Sequence, residues 1–246
     1  MKIKVLAMVL TITMMISISA SAKDITNSEF DKYKEKLVEV GHTQEEIIEL
    51  EKDYYNNNGN IDVKSNNSEM DLLLTEYIDG INKYKNADIN IKEVVVKPNQ
   101  IEKSVSFNTV EPGDIIYEPN RALGFGHTSV VWTDTGYVVE ALADEVSSLN
   151  STMEKWNDTT STQRWCWIPG YSSNTRTSAA LNGGKYLNKN YSLLATKLST
   201  NAFYCSLLNW RQYYDVGRDI DKDGGIMVLP GDIYYNDIVQ VYLAQG

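Results

Sequence analysis

Cysteine and histidine supply many of the nucleophiles and general bases of enzymes, and this 246-residue chain contains two of each. Cys205 lies in the run F-Y-C-S-L-L-N-W-R-Q-Y-Y, whose apolar spacing predicts a helix over about 202–214. With Thr200 or Asn201 as N-cap, the thiol falls near the first turn, where the helix dipole favours a thiolate. The sequence therefore predicts Cys205 as a reactive thiol.

His127 lies in the run G-F-G-H-T-S-V-V-W, just after its glycines, and begins a predicted strand. If Trp132 pairs with Tyr137 across the next turn, Glu140 shares a sheet face with His127, diagonal to it at about 7–8 Å between backbone positions. A carboxylate beside an imidazole fixes its tautomer and stabilises the imidazolium. We therefore expect His127 and Glu140 to act together, with a solvent-facing Glu140 on an edge strand as the alternative.

The second histidine and the second cysteine have simpler interpretations. His42 precedes a helix cap in a polar segment, and we expect it to be solvated. Cys166, in R-W-C-W-I-P-G, is predicted to pack in a strand between two tryptophans. A Cys166–Cys205 disulfide is an alternative, because export permits oxidation and the number of cysteines is even.

An acidic loop follows the predicted Cys205 helix. Asp219, Asp221 and Asp223, with Gly224 after them, match the first half of a calcium-binding loop. The second half does not match, because Pro230 occupies the position of the bidentate glutamate. The three aspartates are therefore candidate ligands of a structural calcium ion, and a solvated turn is the alternative.

The composition excludes several classes of protein. A formal net charge of −10 argues against nucleic acid as a partner, since proteins that bind phosphate backbones carry a basic face. The cysteines and histidines show neither C-x-x-C nor H-x-x-x-H spacing, which rules out a structural zinc domain. With 42% hydrophobic and 23% charged residues, the chain has the composition of a folded protein.

Residues 1–22 are predicted to be a secretory signal peptide. Lys2 and Lys4 precede an apolar run, and Ala20-Ser21-Ala22 matches an A-x-A cleavage site. The run is short and interrupted by Thr and Ser, whereas a membrane span needs about 20 mostly apolar residues. We therefore expect a secreted, periplasmic or cell-wall-associated protein with no membrane span after cleavage.

The remaining sequence divides into a helical part and a part rich in strands. Residues 23–105 are predicted to be a helical accessory region, with a Thr43–Glu46 capping box opening its second helix. Beyond about residue 88, short β-branched and aromatic runs occur at 94–96, 114–117, 127–132, 137–142, 164–168, 226–229, 233–235 and 239–243. Residues 106–246 are thus expected to form an α+β domain, with an antiparallel sheet packed on the Cys205 helix.

Several short motifs occur in a characteristic order: P-G-D-I-I-Y at 112–117, G-H-T-S-V-V at 126–131, Y-V-V-E-A-L at 137–142, E-K-W, and F-Y-C-S-L-L-N-W. Together they resemble the circularly permuted papain-fold hydrolases, the YiiX-like branch of the NlpC-type superfamily. In ordinary NlpC-type enzymes the cysteine helix precedes the histidine strand. Here His127 precedes Cys205, as in the permuted branch, and the resemblance covers about 110–242.

The resemblance implies a cysteine hydrolase in which Cys205 is the nucleophile, His127 the base and Glu140 the orienting acid, with no required cofactor. Combined with export, it suggests peptidoglycan peptides as the substrate, cleaved through an acyl-thioester. One alternative is an acyl-ester or lipid hydrolase, or an acyltransferase, on the same fold. Another is a non-enzymatic secreted binding module with a disulfide and a calcium loop.

Overall fold

The computed structural model describes residues 29–60, 67–85, 92–97, 106–121, 126–143, 145–158 and 160–246. The predicted signal peptide, residues 1–22, lies outside these ranges, as do residues 98–105 at the predicted domain boundary.

Three helices form the N-terminal part of the structure: α1 (Asp31–Val40), α2 (Gln44–Asn60) and α3 (Asn67–Lys85). The predicted capping box opens α2, because the Thr43 backbone N–H donates to Glu46 Oε2 at 2.7 Å and the Glu46 N–H donates to Thr43 Oγ1 at 3.3 Å. Apolar side chains spaced by three and four residues pack between the helices. Ile48, which the helical pattern predicts to be buried, is instead 50% exposed.

A six-stranded sheet forms the second part, in the order β4-β3-β2-β1-β5-β8, with every neighbouring pair antiparallel. Its strands are β1 (Ile115–Glu118), β2 (His127–Val131), β3 (Tyr137–Glu140), β4 (Ser148–Ser151), β5 (Gln163–Trp167) and β8 (Gln240–Gln245). The β2–β3 register is the predicted one, since Val130 pairs with Val139 and Val131 with Val138. The chain is therefore α+β with an antiparallel sheet, as the sequence indicates.

Helix α6 (Cys205–Tyr214) packs against β2 and β3, with α5 (Ser173–Gly183) beside it. A short helix, α4 (Thr152–Asn157), follows β4. Two short parallel strands, β6 (Asn190–Tyr191) and β7 (Ala202–Phe203), lie outside the main sheet and lead the chain into α6. The sequence pattern predicts α6 but not β4, α4, α5, β6 or β7.

The prediction of strands at 226–229 and 233–235 is wrong. Residues 226–229 belong to no strand, because side chains satisfy their backbone N–H groups: Glu76 accepts from Ile226 and Met227, and the Tyr204 hydroxyl accepts from Val228. The next segment is a short helix, α7 (Pro230–Tyr234), with proline in its first turn. Residues 94–96, also predicted to be a strand, form only one isolated bridge, between Val94 and Val241.

Helix α3 docks on the segment that leads into α7. A Cβ atom added at Gly80 would lie 1.8 Å from Leu229 Cδ1, and one added at Gly231 would lie 2.5 Å from the Tyr84 ring. The Tyr84 hydroxyl donates to Asp232, and Lys83 lies 3.5 Å from the same carboxylate. Glycine at these two positions therefore permits close packing between the N-terminal helices and the part of the chain that follows α6.

Among the described residues, no helix has both the length and the apolar character needed to cross a membrane.

Substitution of Gly80 tests the docking of α3. We expect Gly80→Val to lower the free energy of unfolding by about 1–3 kcal/mol, because its side chain overpacks against Leu229. The measurement is urea denaturation of the full chain. Asp79→Val is the matched control, since it places the same β-branched residue on the exposed side of the same helix. Equal losses in both variants would contradict the close approach at Gly80.

Candidate active site

A glycine positions His127 at the start of β2. Gly126 has φ +103°, and a Cβ atom there would lie 2.6 Å from Tyr117 Cε2. Only glycine accepts both this conformation and this contact without strain. His127, the next residue, is 5% exposed. The glycine-rich run noted in the sequence therefore lets the backbone pass close to β1 and turn the imidazole into the protein.

Glu140 engages the His127 ring as the strand register predicts. The distance from His127 Nε2 to Glu140 Oε2 is 2.7 Å, and Glu140 is 2% exposed. Burial alone raises the pKa of Glu140, but the hydrogen bond to His127 and the charge of Lys155 lower it to about 2. The alternative of a solvent-facing Glu140 is wrong, since this carboxylate is buried against the ring.

Cys205 is the first residue of α6 and is 4% exposed. Its N-cap is Tyr204, and neither Thr200 nor Asn201 has this role, because β7 pairs with β6 between them and the helix. The Tyr204 side chain makes no capping hydrogen bond. No side chain therefore caps the first turn of α6, the end of the helix that carries the thiol.

The charge of His127 affects the pKa of the Cys205 thiol. Burial raises the pKa of Cys205, but the charge of His127, a hydrogen bond to it and the backbone N–H of Thr128 outweigh burial, so the pKa is lowered. In the reverse direction, burial lowers the pKa of His127, while Cys205 and Glu140 raise it to about 9. Since Glu140 occupies Nε2, Nδ1 is the ring nitrogen left for the thiol.

Sequence reasoning missed two charged residues of this site. Lys155 Nζ lies 3.0 Å from Glu140 Oε2 and 3.0 Å from Glu118 Oε2. Glu118 pairs with His127 across the β1–β2 ladder and is 3% exposed. In the sequence, the E-K-W run after β4 marks Lys155. Glu118 is marked only by its position at the end of a predicted strand. Lys155 offsets the two buried carboxylates.

Glu118, His127 and Glu140 also lie close enough together to share a metal ion, with ligand atoms within 4.8 Å of one another. The Lys155 ammonium already contacts both carboxylates of this group at 3.0 Å. A divalent cation would have to displace that ammonium, because like charges at this distance repel. The residues present therefore fit an ion-paired site better than a metal centre.

Cys166 and Cys205 are both free thiols, so the predicted alternative of a disulfide between them is wrong. Cys166 lies in β5, is fully buried and belongs to the hydrophobic core. Burial raises its pKa to about 12. As predicted, this cysteine packs as a small apolar residue.

The prediction that His42 is solvated is wrong. Its side chain is buried, and its Nε2 lies 3.0 Å from the Tyr77 hydroxyl. Burial lowers the pKa of His42, against the opposing charge of Glu46. Helix α3 lies over the start of α2 and covers a residue that the local sequence marks as exposed.

The aspartates that lie together in the acidic loop are not the three that the sequence predicts as calcium ligands. The carboxylates within 4.8 Å of one another are Asp221, Asp223 and Asp232, and the last of these comes from α7. Asp219 is not part of this group, and its Oδ1 accepts from Trp210 Nε1 at 2.9 Å. Lys197 lies 2.5 Å from Asp221, so an ammonium already balances part of the negative charge. Calcium binding at this cluster stays a prediction.

The fold and site define an α+β protein in which a helix-terminal cysteine, a strand histidine and a buried glutamate converge. No protein-family model matches the chain, and none of the curated proteins matches it. Among solved structures, the chain is similar to the crystal structure of the metalloprotein YiiX from Escherichia coli O157:H7, a DUF1105 protein, with a TM-score of 0.45 and 16% identity. This match covers 55% of this chain and 97% of that one.

Thiol alkylation distinguishes the two cysteines. We expect iodoacetamide at about pH 7 to modify Cys205 at least about tenfold faster than Cys166, because only Cys205 has a lowered pKa. The measurement is peptide mass spectrometry over time on the native full chain. His127→Ala should slow the modification of Cys205 and leave that of Cys166 unchanged. Equal rates at Cys205 with and without His127 would contradict the pairing.

The stability contributed by the His127–Glu140 pair depends on pH in both directions. The pKa of His127 is raised from 6.5 to about 9, so its contribution is complete below 6.5 and is lost as pH rises through 9. The pKa of Glu140 is lowered from 4.5 to about 2, so its contribution is complete above 4.5 and is lost as pH falls through 2. The pair therefore stabilises the fold most between pH 4.5 and 6.5.

We expect the difference in unfolding free energy between wild type and Glu140→Gln to be larger at about pH 5.5 than at about pH 9.5. Urea denaturation at both values measures it. The control is Glu39→Gln, which removes an exposed carboxylate from α1. A Glu140→Gln difference that stays constant over this range would argue against the ion pair.

Proposed function

We propose that this chain is a cysteine hydrolase that cleaves an amide or related acyl bond. The observation that carries the proposal is the convergence of Cys205, His127 and Glu140, with the pKa of the thiol lowered and that of the imidazole raised. These opposite directions describe a thiolate–imidazolium pair, which is the reactive form of a catalytic cysteine.

In the acylation step, the Cys205 thiolate attacks the carbonyl carbon of the scissile bond. The carbonyl oxygen becomes an oxyanion, to which the Cys205 backbone N–H, in the uncapped first turn of α6, donates a hydrogen bond. The His127 imidazolium then donates its Nδ1 proton to the leaving amine as the tetrahedral intermediate collapses to an acyl-thioester.

In the deacylation step, neutral His127 removes a proton from water, and the resulting nucleophile attacks the thioester. Collapse of the second tetrahedral intermediate releases the acid, and the proton on His127 restores the thiolate–imidazolium pair. Throughout, the Glu140 carboxylate at 2.7 Å holds Nε2 of the ring. The positive charge of Lys155 balances part of the negative charge of Glu140 and Glu118. The mechanism uses no cofactor.

The proposed substrate is a peptidoglycan peptide, and the proposed compartment is outside the cytoplasmic membrane. Support comes from the signal-peptide pattern of residues 1–22 and from the motif order that resembles the permuted papain-fold hydrolases. The alternative substrate is an acyl ester or a lipid, which the same nucleophile would attack. Assays with muropeptides and with acyl esters distinguish the two substrate classes.

Replacement of the nucleophile tests the activity. We expect Cys205→Ala to lower kcat on muropeptides by about ten-thousand-fold, because no thioester can form. Release of new amino groups from the muropeptides measures the reaction. The matched control is Cys166→Ala, which removes the other thiol and leaves the active-site residues intact.

Unchanged turnover by Cys205→Ala would contradict the proposed function. Hydrolysis of acyl esters but not of muropeptides, lost in Cys205→Ala, would keep the mechanism and replace the substrate. Far-ultraviolet circular dichroism of each variant establishes that its fold is retained.

A further inference from the structure

Two buried carboxylates lie beside the ring of His127, and the proposed mechanism uses one of them. Glu140 Oε2 is 2.7 Å from Nε2 of the ring. A Glu118 oxygen lies within 4.8 Å of a ring nitrogen and of a Glu140 oxygen. Glu118 and Glu140 are 3% and 2% exposed. Strand β1 therefore brings a second carboxylate to an imidazole that needs only one.

The second carboxylate competes with the first for the ring. An ionised Glu118 is as good an acceptor for an imidazolium N–H as an ionised Glu140. Because Nδ1 of His127 is the nitrogen left for the thiol, a ring drawn toward Glu118 would move Nδ1 relative to Cys205. Repulsion between two buried carboxylates this close also favours a shared proton over two charges. The Cys205–His127 pair therefore depends on keeping Glu118 away from the ring.

The ammonium of Lys155 bridges the two carboxylates. Its Nζ is 3.0 Å from an oxygen of each, and its side chain is 11% exposed. Arg121 also contacts Glu118, at 3.3 Å, but the arginine side chain is 48% exposed. Water screens an exposed charge far more than a buried one, so Lys155 holds Glu118 more firmly than Arg121 does.

Helix α4 fixes the position of this ammonium. The helix is capped by Ser151, whose hydroxyl accepts from the Glu154 N–H at 3.2 Å. One residue after Lys155, the Trp156 ring packs edge-on against Trp165 of β5, with ring centroids 5.0 Å apart. Lys155 is therefore anchored on both sides along the chain, which reduces the conformational freedom that its ion pairs have to overcome.

We propose that Lys155 is a positioning residue, which binds Glu118 and thereby keeps that carboxylate from displacing the ring of His127. The proposal rests on the Cys205–His127 pair of the proposed function. It differs from charge balance in its consequence. If Lys155 only balanced the charge of Glu140, its removal would have the same effect whether residue 118 were charged or neutral. If Lys155 restrains Glu118, its removal has an effect only while Glu118 is charged.

A double-mutant cycle tests the proposal through the reactivity of Cys205. The four proteins are wild type, Lys155→Met, Glu118→Gln and the double variant, each as the full chain. The measurement is the rate of Cys205 modification by iodoacetamide at about pH 7, followed by peptide mass spectrometry. EDTA is present, because loss of the ammonium would leave three side chains compact enough to share a metal ion.

We expect Lys155→Met to slow the modification at least about fivefold when Glu118 is present, because a displaced ring no longer lowers the pKa of the thiol. In the Glu118→Gln background the same change should alter the rate by no more than about twofold. Lys155→Arg should stay within about threefold of wild type, since a guanidinium can still contact both carboxylates. Lys185→Met, which removes an exposed lysine, is the matched control and should leave the rate unchanged.

Cys166 in the same samples reports whether the fold is retained, because this buried thiol reacts faster if the core opens. Should it show that Lys155→Met is opened, Lys155→Gln, which keeps a polar side chain, takes its place in the cycle. Equal rates in wild type and the Lys155 variant, or an equal loss in both backgrounds, would overturn the proposal. None of these readouts requires turnover, so a failure of the hydrolase assignment leaves them interpretable.

Discussion

The contact between His127 and Glu140 depends on the register of β2 against β3, and the rest of the site depends on that contact. Val131 opposite Val138 places Glu140 diagonal to the ring, and a shift of one residue would turn the carboxylate to the other face of the sheet. Burial favours a neutral imidazole, and Glu140 opposes this effect together with Cys205 by raising the pKa of His127. The turn between β2 and β3 therefore influences the charge of His127, the residue that lowers the pKa of Cys205 far along the chain.

The N-terminal helices contribute to the other half of the site through backbone hydrogen bonds. The segment after α6 runs beside the helix that carries Cys205, yet it belongs to no strand. Glu76 of α3 accepts two of its N–H groups, and the hydroxyl of Tyr204, the N-cap of α6, accepts a third. Buried N–H groups need partners, so removal of α3 would leave donors unsatisfied next to the N-cap of the cysteine helix. The helical region is thus structurally continuous with the site.

The sequence predicted the parts of the site that local periodicity encodes, and missed those that depend on packing between distant elements. Strand alternation and a turn were sufficient to pair His127 with Glu140. The N-cap of α6 was misplaced because β7, a two-residue strand, has no periodic signal. The polar sequence around His42 does not reveal that α3 covers this residue. The β-branched and aromatic residues of 233–235 suggest a strand, although Pro230 is typical of a helix start. Lys155 belongs to the E-K-W motif, but its two carboxylate partners, Glu118 and Glu140, lie in β1 and β3.

The near-complete burial of Cys205 and His127 has a kinetic consequence. Cys205 and His127 are 4% and 5% exposed and leave little surface for a bulky acyl group, so we expect such a group to react with a minor, more open conformation. If the open form were about one part in a hundred, the apparent affinity for such a group would be about a hundredfold weaker than that of the open form itself. Any ligand that binds only the open form would then raise the observed rate without touching the thiol. The reactivity of Cys205 would measure the opening equilibrium as much as its own nucleophilicity.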